Sequence, residues 1–178
     1  MLYGAFLRGI NVGKHNRVRM ADLAQMCTDV GLPDVQTYLQ SGNLYFESDL
    51  TADQVVSLLE CACERGGLSK VSVVVRSLPE LQALVAVSPF PPKPPPELLQ
   101  MVAFLRDVPP PGWERLIQSQ KPGVTLRACG PQEAFVEIVR GEPGKSPIPV
   151  DLDKRLNTPT TARFWNVVVD FIAKMQPE

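Results

Sequence analysis

A proline-rich segment near the middle of the chain limits the folds that this sequence can adopt. The segment SPFPPKPPPE carries six prolines between Pro89 and Pro96. Proline has no backbone N–H and a fixed φ, so this segment cannot lie inside a helix and favours an extended linker. The sequence therefore predicts a first subdomain over residues 1–88, a linker over 89–97 and a second subdomain over 98–178.

Hydrophobic periodicity predicts the elements of the first half. Apolar, β-branched runs indicate four strands, at residues 2–8, 35–39, 44–48 and 70–76, with a tight turn at 40–43. Apolar residues at helical spacing indicate a helix from Met20 to a stop at Gly31, and capping boxes at Thr51–Gln54 and Ser77–Glu80 open two more. The resulting order β-α-β-β-α-β, followed by a helix, is the split pattern of ferredoxin-like folds.

The second half repeats part of this order. A strand at residues 100–106 contains AFLR, as residues 5–8 do, and a helix at 113–120 and strands at 124–129 and 134–140 follow. We therefore predict an α+β protein built from two ferredoxin-like-related subdomains, with internal duplication and chance similarity both open as explanations of the repeat.

The chain is expected to close with a loop at 141–149 and a helix capped by Thr158, with Pro159 at its first position. That helix would have a broad apolar face opposite a polar stripe. The predicted apolar residues are Phe164, Trp165, Val168, Phe171, Ile172 and Met175, and the predicted stripe is Arg163, Asn166, Asp170 and Lys174.

Charge and composition exclude several classes of function. The net charge is −1, whereas general nucleic-acid or membrane binders are usually basic. No apolar run reaches the about 18 residues that span a bilayer, and no signal peptide is recognisable, so we expect a cytoplasmic protein. The chain has one histidine, and Cys61 and Cys63 would point about 200° apart on a helix, so they could not bind the same metal ion. We therefore expect no metal or other cofactor, and we expect the thiols to be reduced.

The first strand leads into a cationic loop that holds the strongest candidate site. Residues 9–19 carry Lys14, His15, Arg17 and Arg19, and no acidic residue precedes Asp22. In a β-α-β-β unit the first two strands are parallel, so the loop at 9–19 and the turn at 40–43 should meet at one edge of the sheet, with Arg76 at the other. Such a carboxylate-free set suits phosphate or carboxylate oxygens. The candidates at this edge are Asn11, Lys14, His15, Asn16, Arg17, Gln40, Ser41 and Asn43.

Other interpretations of these residues are weaker. Ser41 and His15 could form a nucleophile pair, but no third, orienting acid is apparent. The segments at 9–15 and 141–146 are one and two residues short of a phosphate loop, so neither is a nucleoside-triphosphate loop. The glycines could also simply shape turns while the cations remain solvated.

Four segments resemble a known family. They are LRGINVGKHNRVRM at residues 7–20, TYLQSGN at 37–43, VVVR at 73–76 and TARFWNVV at 161–168. Together they resemble domain of unknown function family 1697, a widespread bacterial family, which implies an α+β protein with two related subdomains and implies no activity. The positions that match its signature are Arg8, Asn11, Gly13, Asn16, Gln40, Ser41, Gly42, Asn43, Arg163, Trp165 and Asn166.

These observations favour a module that binds an anion, a phosphate or a nucleotide through the loop and the QSGN turn, with Arg163 and Asn166 approaching from the last helix. Three alternatives stay open: nucleic-acid binding with Tyr3, Tyr38, Tyr45 and Phe46 as stacking rings, an enzyme of unassigned type, and a protein-interaction scaffold. No membrane partner is expected.

Overall fold

The computed structural model describes residues 1–91, 95–118, 122–140 and 152–176. It contains two four-stranded antiparallel sheets with helices, so the α+β prediction is confirmed. Contacts divide the chain into two units, Met1–Gln82 with Phe171–Glu178, and Ala83–Asp170. The predicted boundaries at 88 and 98 would instead leave the whole last helix in the second subdomain. The predicted linker includes residues 92–94, which lie outside the described residues.

The first seven elements follow the predicted order. They are β1 (Leu2–Arg8), α1 (Met20–Asp29), β2 (Gln36–Tyr38), β3 (Asn43–Glu47), α2 (Ala52–Arg65), β4 (Ser72–Ser77) and α3 (Leu78–Ala86). The strand order in the sheet is β2-β3-β1-β4, and every neighbouring pair is antiparallel. Strand β3 therefore lies between β1 and β2, as the predicted geometry requires.

Alternating residues of β1 form the core of the first unit. Tyr3, Ala5 and Leu7 are buried in one apolar cluster with residues of both helices, Leu23 and Cys27 of α1 and Val55, Leu59 and Cys63 of α2. Successive strand side chains point to opposite faces, so these odd-numbered residues share the helix-covered face.

Both predicted capping boxes are present. The Thr51 hydroxyl accepts the N–H of Gln54 at 3.4 Å, and the Gln54 side chain accepts the N–H of Thr51 at 2.9 Å. Ser77 and Glu80 make the same reciprocal pair, at 3.5 and 2.7 Å. These bonds satisfy N–H groups that the first turn of a helix leaves without a partner, and they place the starts of α2 and α3.

The second unit repeats the same arrangement. Its elements are β5 (Leu98–Leu105), a 3₁₀ turn (Trp113–Arg115), β6 (Val124–Ala128), β7 (Glu133–Val139), α4 (Leu152–Leu156), β8 (Thr160–Phe164) and the first part of α5 (Trp165–Met175), whose residues from Phe171 onward belong to the first unit. The sheet order is β6-β7-β5-β8, which matches β2-β3-β1-β4 strand for strand. The predicted loop at 141–149 lies outside the described residues.

Two predictions for this half are wrong. Where we expected a helix over 113–120, the described residues show only one 3₁₀ turn, and 119–121 lie outside them. The last helix begins at Trp165 rather than Pro159, because Thr160 to Phe164 pair with β5 as strand β8. β-Branched Thr160 and Thr161 suit a strand, and β5 offers an edge to pair with.

The hydroxyl of Thr158 consequently does not cap a helix. It accepts the N–H of Asp107 at 3.0 Å and donates to the Asp107 carboxylate at 2.8 Å. Arg163 and Phe164 belong to the strand, and Phe164 is exposed rather than part of an apolar helix face. The remaining predicted apolar residues of the helix from Val168 onward are buried.

The register of the two sheets bears on the predicted duplication. Ala5 pairs with Leu44 and Val75, and its counterpart in the second AFLR segment, Ala103, pairs with Ala134 and Ala162. The N–H of Leu7 donates to Gly42 at 2.7 Å, and that of Leu105 donates to Gln132 at 2.8 Å. The two AFLR segments thus hold equivalent places in similar subdomains.

Within the residues that the structure describes, we find no helix whose length and apolar character would suit it to crossing a bilayer.

Candidate functional site

The loop after β1 and the turn before β3 are neighbours, as predicted. The Leu7 N–H donates to the Gly42 carbonyl, and the Asn11 side chain donates to the Gln40 carbonyl at 2.9 Å. Arg76 pairs with Gly4 near the start of β1, at the opposite edge of the sheet. The parallel relation of β1 and β2 is therefore enough to bring loop and turn together.

Asn11 joins the loop to the turn. Its Nδ2 donates to the carbonyls of Gln40 at 2.9 Å and of Val18 at 3.1 Å, and its Oδ1 accepts the Val18 N–H at 2.9 Å. The residue has φ +52°, in the left-handed region where asparagine is better tolerated than most residues. The structure thus uses the Asn11 amide to hold the loop.

Asn16 attaches the other side of the loop to the segment after α2. Its Nδ2 donates to Gly9 at 2.6 Å and to Ser69 at 2.7 Å, and its Oδ1 accepts the Ser69 N–H at 3.1 Å. Its φ is +49°. Two asparagines in left-handed conformation therefore brace the loop on both sides.

The turn is packed too closely to accept a side chain at Gly42. Its φ is +79°, and a Cβ there would lie 2.8 Å from Cδ1 of Ile10 and 2.9 Å from Cβ of Leu7. Asn43 is fully buried, and its Nδ2 donates to the Tyr38 carbonyl at 2.8 Å and to the Ser41 hydroxyl at 3.0 Å. Both residues shape the turn that faces the loop.

The cationic residues of the loop are exposed. Lys14 and His15 lie on a tight turn in which the His15 N–H donates to the Val12 carbonyl at 3.2 Å, and Gly13 has φ +58°. Arg17 donates from Nε to the Gly13 carbonyl at 2.8 Å. Arg8, at the end of β1, is exposed as well. The predicted site residues therefore divide into amides that build the loop and cations that reach solvent.

A carboxylate belongs to this region, contrary to the sequence prediction. Arg19 binds Asp22 through two hydrogen bonds, Nε to Oδ2 at 2.8 Å and a terminal nitrogen to Oδ1 at 2.9 Å. Hydrogen bonding to Arg19 lowers the pKa of the Asp22 carboxyl, and the same bond raises the pKa of Arg19. The Asp22 and Arg19 side chains meet because Arg19 directly precedes α1 and Asp22, three residues later, lies in the first turn of that helix.

A cavity of about 480 Å3 opens beside these residues. It lies between the loop, the turn, the first two turns of α1 and the segment after α2. Arg19 is the residue before α1, and its side chain makes no capping hydrogen bond to the first N–H groups of this helix. The lining residues are Asn11, Arg17, Val18, Arg19, Met20, Asp22, Met26, Gln40, Gly66 and Leu68.

Sequence reasoning missed the apolar part of this lining. Met20 and Met26 belong to α1, and Leu68 follows α2, about 40 residues further along the chain. The available signal was that Arg19, Asp22 and Met26 share the i, i+3, i+7 spacing of one helix face. That spacing does not reveal which segment faces them, and only the packing of α1 against α2 does so.

The two candidates from the C-terminal motif belong to the second unit. Arg163 is 8% exposed in β8 and donates to the Thr161 hydroxyl at 2.8 Å and the Ala162 carbonyl at 2.9 Å. Burial lowers the pKa of its guanidinium to about 10. Asn166 is exposed on α5. Their predicted approach to the loop stays a prediction.

The aromatic candidates for base stacking and the candidate nucleophile Ser41 all make contacts within the protein. Tyr3 and Phe46 are buried, and Tyr38 and Tyr45 have ring centroids 6.1 and 5.9 Å from that of Phe171. The Ser41 hydroxyl accepts the Asn43 amide.

The four cysteines are free thiols, and burial raises the pKa of Cys27 to about 12 and of Cys63 to about 11. In the part of the chain that the structure covers, no three His, Cys, Asp or Glu residues cluster in a way that could hold a metal ion.

Comparison with known proteins places the chain in a family. No curated protein matches it. The structure is similar to that of the conserved bacterial protein SP0830 from Streptococcus pneumoniae, at 22% identity and TM-score 0.70, over 98% of each chain. This likeness concerns the fold. The family described as "Protein of unknown function (DUF1697)" matches residues 1–133, and the chain belongs to that family.

Proposed function

We propose that the first unit binds a small anion, a phosphate or carboxylate group either free or as part of a nucleotide, in the cavity beside α1. The observation that carries the proposal is that Arg17 and Arg19 line this cavity together with the start of a helix whose N-cap side chain makes no capping bond. Guanidinium groups and the N–H groups of a helix start are both good partners for anionic oxygens.

Asp22 is the internal competitor of such a ligand. Its carboxylate already occupies the fork of Arg19, in the orientation that a bound phosphate or carboxylate would use. The pair is exposed, with 85% of the Arg19 side chain and 44% of the Asp22 side chain accessible, and exposed pairs contribute little stability. An incoming anion can therefore displace or share this contact at small cost.

The bracing of the loop supports the same function. Asn11 and Asn16 use their side-chain amides on backbone groups, which holds the loop in one conformation before any ligand arrives. A preorganised site loses less conformational entropy on binding. We therefore assign the asparagines to the shaping of the site and the arginines to ligand contact.

The test is calorimetric titration with inorganic phosphate at low ionic strength, with Arg17→Gln against a matched control, Arg127→Gln. Arg127 is an exposed cation on β6 of the second unit. We expect Arg17→Gln to weaken binding about tenfold, which corresponds to one charge-assisted hydrogen bond of roughly 1.4 kcal/mol, and Arg127→Gln to leave it unchanged. Equal effects of the two substitutions would show that phosphate responds to overall charge and not to this cavity.

Asp22→Asn provides a test of opposite sign. The substitution removes a negative charge from the cavity and frees the Arg19 fork, so phosphate affinity should rise severalfold. A fall in affinity would mean that Asp22 is needed to orient Arg19, and the assignment of Asp22 as competitor would be wrong.

The alternatives have less support. Stacking of nucleic-acid bases would need exposed rings, whereas Tyr3 and Phe46 are buried. Catalysis by Ser41 and His15 has no observation in its favour. Cytoplasmic location, and the description of both subdomains as ferredoxin-like, stay part of our proposal, supported by the reduced, buried thiols of Cys27 and Cys63 and by the order of strands in each sheet.

A further inference from the structure

We propose that the ligand of this cavity is an amphipathic anion, with its charged group at Arg17 and Arg19 and a flat apolar group, such as an aromatic ring or a nucleobase, against Met20, Met26 and Leu68. The inference rests on the proposed function and specifies the class of ligand.

Part of the cavity wall is apolar. Leu68 is 7% exposed, and Val18, Met20 and Met26 are half-buried against the core cluster of the first unit. Met26 also packs on Gly66, so closely that a Cβ at that glycine would overlap its thioether. Gly66 thus leaves room for the Met26 side chain to border the cavity.

An inorganic anion leaves this wall unused. Its hydration shell gains nothing from contact with thioethers, whereas burial of an apolar ring removes nonpolar surface from water. Methionine is flexible and polarisable, and its sulfur makes favourable contacts with aromatic rings. A volume of about 480 Å3 also lies in the range of pockets that hold drug-sized molecules, roughly 300–1,000 Å3.

The helix provides a length scale. Arg19, Asp22 and Met26 share one face of α1, and Met26 is seven residues after Arg19. At about 1.5 Å per residue the two ends of this face are about 10 Å apart. This distance separates backbone positions, and arginine and methionine side chains are long, so a ligand that contacts both needs an acidic group and a ring on one small molecule, as in phenyl phosphate or a nucleoside monophosphate.

The ligand series that tests this inference uses four probes on the unmodified protein: inorganic phosphate, phenyl phosphate, ribose 5-phosphate and adenosine 5′-monophosphate. We expect each ring-bearing probe to bind at least about tenfold more tightly than its ring-free partner, a difference of about 1.4 kcal/mol. Equal affinities within each pair would overturn the inference while leaving the proposed function intact. No binding by any probe would overturn both.

Methionine methyl NMR locates the ring. The chain has five methionines, and Met101 and Met175 are buried away from this cavity's lining. Ring currents from phenyl phosphate should shift the methyl signals of Met20 and Met26 and leave those of Met101 and Met175 in place, whereas inorganic phosphate should shift none of them strongly. Shifts at Met101 or Met175 alone would contradict the assignment.

A variant pair completes the test. Met26→Gln keeps the length of the side chain but makes the wall polar, so it should remove most of the preference for phenyl phosphate and leave the affinity for inorganic phosphate unchanged. Leu116→Gln, at an exposed leucine of the second unit, is the control. Loss of affinity for both probes in Met26→Gln would contradict a separate apolar subsite. If this variant does not fold, the ligand series and the methyl shifts decide the matter on the unmodified protein.

Discussion

Replacement of Asn11 by alanine should destabilise the protein by about 3 kcal/mol. The substitution deletes three hydrogen bonds, two to Val18 and one to Gln40, at 2.9 to 3.1 Å. The two Val18 bonds are partly buried and should count about 1 kcal/mol each, and the exposed bond to Gln40 about 0.5 kcal/mol. Alanine at φ +52° adds roughly a further 0.5–1 kcal/mol of conformational cost.

A glycine variant separates the two contributions. Asn11→Gly loses the same hydrogen bonds but adopts a left-handed conformation without strain, so it should recover roughly 0.5–1 kcal/mol relative to Asn11→Ala. Asn166→Ala is the matched control, because Asn166 is an exposed asparagine on α5. We expect that substitution to change stability by less than about 0.5 kcal/mol.

The assay is urea unfolding at constant m value, together with hydrogen exchange at the Val18 amide, whose N–H donates to Asn11. Exchange at Val18 should accelerate in both Asn11 variants and not in the control. A loss below about 0.5 kcal/mol in Asn11→Ala, with Val18 protection unchanged, would refute the view that this side chain holds the loop to the turn.

Gly42, Thr51 and Cys27 each offer a further test of the structure. Gly42→Ala should cost at least about 2 kcal/mol in urea unfolding, because its Cβ would meet Ile10 and Leu7 at a left-handed φ; a neutral result would mean that the turn rearranges freely. Thr51→Ala should cost about 1 kcal/mol through loss of the capping box, and an unchanged midpoint would contradict the cap. At pH 9, iodoacetamide should leave Cys27 unmodified in the folded protein, because burial raises the pKa of its thiol to about 12, and should modify it in urea. Mass spectrometry of the peptides measures the modification. Labelling of Cys27 in the folded protein would show that α1 opens readily.

The local elements of the first unit were predictable because their signals are local. β1 is a continuous apolar run. The capping boxes that begin at Thr51 and Ser77 join residues only three positions apart in the sequence. The adjacency of loop and turn was also predictable, since it follows from the β-α-β-β order and not from any side chain.

The C-terminal region shows where such reasoning fails. Thr158 followed by Pro159 is a good helix start by local rules, yet residues Thr160–Phe164 pair with β5. The edge of β5, which is more than 50 residues away in sequence, decides that these residues form a strand. Local preference is a weak guide where a long-range pairing partner is available.

The sequence by itself determined the α+β class, the position of the cationic loop and its contact with the QSGN turn. These features depend on hydrophobic periodicity, helix caps and strand order, which can be recognised from residues close together in the chain. Only the tertiary structure decided which residues of that edge build the loop and which border a cavity. The amides of Asn11 and Asn16 are used on backbone groups from distant segments, and the apolar wall forms where Leu68 packs beside α1. Contacts between segments far apart in the chain depend on packing, which carries no local signature.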